Sequence, residues 1–305
     1  MSQAPAAGRL AHRRSRHIRE RIIELVLLSS ALVAVATTIG IVFILVKESI
    51  SFFSQVSIVD FLTDRQWTPL FSDPHFGIWV LLSGTLTSSA IALSVAIPVG
   101  TILAIYLSEF ASARMRETAK PILELLAGIP TIVFGYFALF FVTPLLKKIY
   151  PELPGFNLLS AGLVMGVMIV PYISSIAEDA MRAVPMSLRE GAFAMGATRL
   201  QVALNVVVPA AFSGLAAAYI LGISRAVGET MIVAVAAGMQ PNFTFNPTEQ
   251  AATITAYIVQ VAKGDLPHGS VGYQTIFAAG LTLFLLTLVF NLLGYYLRKR
   301  FREEY

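Results

Sequence analysis

Six long apolar segments set the strongest limit on how this chain can fold. They cover about Ile22–Val46, Ile78–Leu107, Ile122–Thr143, Leu158–Ala177, Ala211–Ala237 and Thr275–Leu297. A helix needs roughly 20 apolar residues to cross the ~30 Å hydrocarbon core of a bilayer, and each segment reaches that length. None of them shows the two-residue alternation of a strand. The pattern predicts an all-α integral membrane protein with six transmembrane helices.

The composition agrees with lipid as the main solvent of the chain. Only 13% of the residues are charged, whereas soluble domains carry about 25%. The chain has no cysteine, which excludes disulfides and thiolate metal sites. Its four histidines show no metal-ligand spacing, so we predict no metal site. They are His12, His17, His75 and His268.

The distribution of Lys and Arg predicts the direction of the spans. Sixteen basic residues fall on one side of the predicted membrane and five on the other. The richer side holds the tail 1–21, the loops after spans two and four, and the tail 298–305. Because cytoplasmic loops collect Lys and Arg, we expect both termini in the cytoplasm.

The basic tail 1–21 has two other interpretations. A signal peptide is disfavoured because the following apolar run, 22–46, is too long and no small-residue cleavage site follows it. Nucleic-acid binding would also need a basic segment, but a topology signal that contacts anionic lipid explains the position beside a span. We therefore expect a lipid bilayer and no nucleic acid as the partner of this tail.

Two predicted outward loops are longer than simple turns require. They cover 47–77 and 239–274 and are rich in Pro, Asn, Asp and Gly. Long ordered loops are often functional. A docking surface for an external protein and a solvated connector both fit this pattern.

The inward loop 185–209 is predicted to contain a short helix. Ser187 and Glu190 have the spacing of a capping box. Leu188, Ala192 and Met195 follow at helical spacing, which gives the helix an apolar face. Such a face needs a cover, either the membrane surface or a groove on another protein.

The same loop resembles the EAA loop of binding-protein-dependent ABC importer permeases. Glu190-Gly191-Ala192 is followed by Gly196, then nine residues, then Val206-Val207-Val208-Pro209. The chain departs from the family pattern at Gly191, usually Ala, and has Val where the family has Ile and Leu. The resemblance implies a type I importer permease (MetI-like) fold. It also implies that Glu190, Gly191, Ala192 and Gly196 belong to a coupling helix seated on an ATPase.

Further stretches across residues 60–295 resemble the phosphate-specific, PstC-type permeases of that family. They include "WTPLFSDPHFGIW", "GIPTIVFGYFALF", "MIVPYISSIAEDAM" and "LGISRAVGETMIV". The resemblance implies a permease core over 78–297 in a bacterial inner membrane, with inorganic phosphate as substrate. It implies three partners: a PstA-like second permease, a PstB-like ATPase dimer and a PstS-like periplasmic phosphate-binding protein.

No nucleotide site is expected in the chain itself. A phosphate-binding loop needs G-x-x-x-x-G-K-[ST], but Gly191 and Gly196 are followed by Ala197-Thr198. We therefore expect no cofactor on this chain and no enzymatic activity of its own. ATP and Mg would be bound by the partner ATPase.

Two charged residues, Arg225 and Glu229, lie inside the fifth apolar segment. Each costs roughly 2.5–3.5 kcal/mol at the centre of a lone spanning helix. Four residues apart on a helix, they share a face and predict either an ion pair or a phosphate contact and gate. Weaker candidates for the substrate path are the hydroxyls of the second and fourth spans, which also bond to their own helix carbonyls. These are Thr85, Thr87, Ser88, Ser89, Ser174 and Ser175.

Three other functions compete with phosphate import. An importer for another oxyanion or small solute would share every feature above. A secondary carrier should show an inverted repeat with broken half-helices and needs no coupling helix. A membrane sensor needs neither a midplane Arg nor a docking helix.

Overall fold

The computed structural model describes residues 6–69, 71–264, 267 and 269–300. His268 and the end of the predicted tail 298–305 lie outside these residues. Within the described part of the chain the regular structure is helical, apart from a single bridge between Trp67 and Phe76.

The helices are numbered here in chain order. They are α1 (Ala6–Phe53), α2 (Ile58–Thr63), α3 (Trp79–Ile105), α4 (Ala113–Ala127), α5 (Thr131–Phe137), α6 (Thr143–Lys147), α7 (Leu158–Arg182), α8 (Met186–Ala194), α9 (Arg199–Val202), α10 (Val208–Ala210), α11 (Phe212–Val227), α12 (Met231–Ala236), α13 (Ile254–Ala262) and α14 (Val271–Arg300). Three π-helical turns continue α3, α5 and α9: Tyr106–Phe110, Ala138–Val142 and Ala203–Val207.

Four described helices are long and apolar enough to cross a membrane without a break. They are Arg19–Phe53 in α1, Trp79–Phe110 in α3 and its π-helical turn, Leu158–Arg182 (α7) and Val271–Tyr296 in α14. Two bent pairs bring the number of spans to as many as six. α4 meets the segment Thr131–Lys147 at 85°, and the segment Arg199–Ala210 meets α11 at 74°. The predicted fold class is confirmed, but the third and fifth spans are not straight helices.

The core is built on the packing of α3 against α7. A Cβ at Gly162 would stand 2.7 Å from the Cβ of Ile91, and one at Gly166 would stand 2.8 Å from the carbonyl oxygen of Ala92. The two glycines therefore let the helix backbones approach as a small-residue pair does in lipid.

The third span is broken where the sequence has Gly128-Ile129-Pro130. α4 ends at Ala127, and α5 begins after Pro130. A residue before proline is disfavoured in the helical conformation, and Pro130 itself has an extended ψ of 132°. The prediction of one helix over Ile122–Thr143 is therefore wrong, because α4 and the segment Thr131–Lys147 are separate helices that meet at 85°.

The fifth span also breaks, at Gly228-Glu229-Thr230 between α11 and α12. The chain then folds back along 238–253, where Ala252 donates its N–H to the carbonyl of Gln240 at 2.8 Å. It continues into α13, a helix that lies in the interval predicted as the connector 239–274. The backbone N–H of Ile254 donates to Thr85 Oγ1 at 3.0 Å, so α13 begins inside the helix bundle.

The loop 54–77 is anchored to the bundle by a few buried side chains. Trp67 is buried and meets the ring of Tyr257 edge-on, at 5.1 Å between centroids. His75 Nδ1 lies 2.7 Å from Asp64 Oδ2. That hydrogen bond raises the pKa of His75 above its ordinary value. Burial pushes the pKa of Asp64 upward, but hydrogen bonds from His75 and from backbone N–H groups outweigh it and lower that pKa.

Candidate functional site

The predicted docking helix exists as α8, but its N-terminus differs from the prediction. Pro185 is the N-cap, and no side chain caps the helix start. The predicted capping box of Ser187 and Glu190 is therefore wrong, because Pro185, with its fixed φ, begins the helix two residues earlier. A capping box forms instead between Thr198 and Gln201 and starts α9.

The apolar residues of α8 divide into an inward and an outward set. Leu188 and Ala192 pack against the chain's own core, beside the ends of α3 and α7. Met195 was predicted on the same face, but it follows the last helical residue and is 88% exposed. Met186 and Phe193 are exposed with it. The outward set of Met186, Phe193 and Met195 is the surface that a partner protein can cover.

Gly196 and Gly191 differ in their structural roles. Gly196 has φ +85°, a conformation that glycine adopts without steric cost. It ends α8 and turns the chain into α9, with its N–H donated to the Phe193 carbonyl at 2.9 Å. Gly191 is exposed, and a Cβ there would meet nothing within 4 Å. Glu190 is exposed beside it.

Arg189 was not predicted as a functional residue, yet it is the buried charge of α8. Its Nη2 donates to Glu109 Oε1 at 3.1 Å, and its Nε donates to Glu109 Oε2 at 3.3 Å. It also donates to the carbonyls of Val184 and Met181 at the end of α7. A bidentate Arg–carboxylate pair of this kind adds geometric specificity as well as energy. The sequence offers no local signal for it, because Glu109 and Arg189 are 80 residues apart.

A second missed group surrounds Glu178, whose side chain is 0% exposed near the end of α7. Its carboxylate lies 2.9 Å from Lys120 Nζ, 3.4 Å from Arg116 Nε and 3.7 Å from Arg182 Nη1. Asp179 adds an ion pair with Lys120. A buried carboxylate needs such partners, because losing them would leave an uncompensated charge. The cluster fixes α4 against α7.

Arg225 lies in the last turn of α11 and faces a ring rather than a carboxylate. Its Cζ is 4.3 Å from the ring centroid of Tyr172, a cation–π contact. The Tyr172 hydroxyl donates to the Ala127 carbonyl at 3.1 Å, where α4 ends. Among the described residues no hydrogen-bond partner reaches the buried Nε of Arg225. The guanidinium thus keeps a free donor.

Glu229 lies in the break after α11, so the prediction that it shares a helix face with Arg225 is wrong. Its Oε1 accepts the N–H groups of Met231 and Ile232 at 3.1 and 3.3 Å, which caps the start of α12. Its carbonyl accepts from Thr255 Oγ1 at 2.6 Å. Among the described residues Glu229 forms no ion pair with Arg225, and the predicted pairing is not found.

Half of the weaker path candidates are bonded to their own helices. Thr85, Ser88 and Ser174 are buried and donate to carbonyls three or four residues earlier. Thr87 and Ser89 are buried, and no partner among the described residues reaches their hydroxyls. The remaining candidate, Ser175, borders a cavity of about 200 Å³ together with Tyr172.

Comparison with known proteins identifies the family. Residues 96–303 match the model of the binding-protein-dependent transport system inner membrane component. The chain belongs to this family. The matched region contains α8, its flanking turn and Arg225.

Curated relatives agree over most of the chain. It is 35% identical over 293 residues to the probable ABC transporter permease protein YqgH of Bacillus subtilis, covering 95% of this chain and 94% of the relative. It is 32% identical over 262 residues to the phosphate transport system permease protein PstC of Mesorhizobium japonicum, covering 79% and 78%. A PstC of Haemophilus influenzae is also 32% identical, covering 77% and 79%. The resemblance to PstC-type permeases is confirmed.

Solved structures show the same fold at lower identity. The chain superposes on a bacterial alginate ABC transporter with a TM-score of 0.64 and 18% identity, covering 95% of this chain and 98% of that chain. It superposes on the MetNI methionine ABC transporter with a TM-score of 0.56 and 22% identity, covering 74% and 95%. The fold is that of a type I ABC importer permease, as predicted.

Proposed function

We propose that the chain is the permease subunit of an ABC importer for inorganic phosphate. The observation that carries this is a guanidinium inside a spanning segment, at Arg225, in a chain whose relatives include several phosphate permeases named PstC. Arginine suits the task because its planar donors match the oxygens of phosphate and its charge does not titrate. Phosphate passes the break between α11 and α12 while Arg225 balances its charge.

The importer takes its energy from a partner. The chain itself hydrolyses no nucleotide and binds no cofactor, and ATP and Mg are bound by a PstB-like ATPase dimer. A PstA-like permease completes the path, and a PstS-like protein delivers phosphate from outside. Both termini and α8 face the cytoplasm, as the Lys and Arg distribution favours. The packed loops 54–77 and 238–253 then face the delivery protein.

The ATPase covers the outward set of Met186, Phe193 and Met195. Three large apolar side chains exposed together next to a glycine are typical of a helix that inserts into a groove on another protein. Glu190 and Gly191 lie on the exposed side of α8, and the absence of a side chain at Gly191 lets the partner approach the helix backbone. Ala192 and Gly196 hold the helix and its turn in place.

A second substrate remains a candidate because the Bacillus subtilis relative carries the general name of a probable ABC transporter permease. An importer for another oxyanion would use the same guanidinium. Competition separates the two cases. Uptake of radiolabelled phosphate by the complete transporter should resist an excess of sulfate and fall with an excess of arsenate, which has the shape and charge of phosphate. Strong inhibition by sulfate would contradict phosphate specificity.

The docking surface is tested with Gly191→Asp. The new side chain meets no atom of this chain within 4 Å of its Cβ, so the fold should tolerate it, while its charge enters the partner groove. We expect the ATPase to be lost from the purified transporter, with normal amounts of permease in the membrane. Gly155→Asp is the matched control, since Gly155 is equally open and lies elsewhere. Retention of the ATPase by Gly191→Asp would contradict docking at α8.

A further inference from the structure

The Arg189 guanidinium joins three parts of the bundle. Besides its two bonds to Glu109, it donates to the carbonyls of Val184 and Met181. The last carbonyls of a helix have no partner within the helix, so Arg189 closes the end of α7 as it ties α8 to Glu109. Only 8% of Arg189 is exposed. A shift of α8 relative to α3 or α7 would therefore break charged hydrogen bonds that are shielded from solvent.

Glu109 belongs to the π-helical turn that ends the second span, and this turn receives a second arginine. Arg116 of α4 donates through Nε and Nη2 to the Leu107 carbonyl at 2.9 and 2.8 Å. Its Nη2 also reaches the Ser108 carbonyl at 3.3 Å. Ser108 Oγ donates to Glu109 Oε1 at 2.7 Å. The turn is thus bonded to α8 on one side and to α4 on the other.

The connection continues toward the membrane interior. Arg116 and Lys120 of α4 are ion-paired with Glu178 of α7. At the other end of α4 the Ala127 carbonyl accepts the hydroxyl of Tyr172, whose ring lies under Arg225. Rigid helices linked by paired charges are elements through which a displacement at one site can bias another. This chain of contacts links α8 through Glu109 and α4 to the break that begins at Gly128.

We propose that the Arg189–Glu109 pair is a positioning element that converts displacement of α8 into movement of α4, and so couples ATP hydrolysis to passage of the substrate. This inference rests on the proposed function, because it takes α8 as the site where the ATPase docks. Neither residue contacts substrate or nucleotide. Both keep α8 in register with the π-turn of the second span and with the end of α7.

The test uses Glu109→Gln in the complete transporter, reconstituted in vesicles with its binding protein. Glutamine keeps the length and one acceptor oxygen, but it removes the charge and the second acceptor. Glu117→Gln is the matched control, because Glu117 is an exposed carboxylate on α4. Phosphate uptake and ATP hydrolysis are measured on the same vesicles. We expect the Glu109→Gln transporter to retain its ATPase subunit. It should hydrolyse at least about fivefold more ATP per phosphate taken up than the wild type, a factor at the lower end of typical allosteric coupling.

Two outcomes would overturn the inference. One is a wild-type ratio of ATP to phosphate in Glu109→Gln. The other is loss of the ATPase from Glu109→Gln, since the pair would then support docking and not transmission. If Glu109→Gln inserts poorly, Glu109→Asp preserves the charge and shortens the side chain, and its ratio should lie between wild type and uncoupled. The proposed docking fails separately, if Gly191→Asp keeps its ATPase.

Discussion

Replacing Tyr172 isolates what holds Arg225 in place. Tyr172→Leu removes the ring under the guanidinium, whereas Tyr172→Phe keeps the ring and removes only the hydroxyl. If the ring face positions Arg225 for phosphate, the two substitutions should differ. If Tyr172 acts chiefly through its hydroxyl on the Ala127 carbonyl, they should have the same effect.

The size of the effect follows from the contact. The Cζ–centroid distance of 4.3 Å is well inside the ~6 Å range of cation–π attraction. Such a contact contributes about 0.5–1 kcal/mol when exposed and about 2 kcal/mol when desolvated. Arg225 is half-buried, so we take about 1 kcal/mol. About 1.4 kcal/mol is a tenfold change in an equilibrium constant. Tyr172→Leu should therefore raise the apparent KM for phosphate about fivefold.

The hydroxyl contributes through a different route. Its bond to Ala127 is a neutral hydrogen bond, with a net contribution of about 0.5–1.5 kcal/mol to stability. Tyr172→Phe should therefore lower the amount of inserted protein slightly and leave the apparent KM for phosphate near wild type. Arg225→Lys retains the charge but loses the planar fork, so it should raise KM even with the ring present.

The assay is uptake of radiolabelled phosphate across a concentration series, normalised to permease inserted in the membrane. Tyr136→Leu serves as the matched control, because it removes an exposed tyrosine ring from α5. A wild-type KM in Tyr172→Leu would refute the reasoning about the ring. Equal KM values for the Leu and Phe variants, both raised, would show that the hydroxyl and not the ring face positions the site.

Two further predictions concern the loops. A single cysteine at Ser72 should react with an impermeant thiol reagent on intact spheroplasts and one at Ser112 should not, since the chain has no cysteine of its own; the reverse pattern would invert the proposed orientation. The raised pKa of His75 means that its pair with Asp64 stabilises the loop fully below pH ~6.5 and less as pH rises through that raised pKa. Tryptic cleavage after Arg65 should accelerate over that range, and His75→Ala should abolish the pH step; a step that persists would exclude the pair.

Local patterns were sufficient to predict several parts of the structure. Four of the six apolar runs correspond to unbroken helices long enough to span a membrane, because a run's length and hydropathy are properties of its own residues. The turn at Gly196 lies at the position that the EAA-like spacing assigns to its glycine. Each of these depends on residues within one or two helical turns.

The missed features depend on contacts between distant parts of the chain. Glu109 and Arg189 meet across 80 residues, and Glu178 gathers cations from α4 as well as from its own helix. Nothing local distinguishes these charges from others at the ends of spans. The two helix breaks were missed for another reason. The residues that cause them, Gly128-Ile129-Pro130 and Gly228-Glu229-Thr230, are local, but a prediction from hydropathy alone treats each apolar run as one continuous helix.

The break at Gly228 explains how two charges can lie in an apolar segment without pairing. Arg225 is in the last turn of α11, where a cation is favoured by the helix dipole, and Glu229 caps the first turn of α12, where an anion is favoured. Each such placement contributes about 0.3–1 kcal/mol, and up to ~2 kcal/mol when partly buried. The Tyr172 ring adds to this for Arg225. Because neither charge needs the other, Arg225 keeps a donor for an anion, as the proposed function requires.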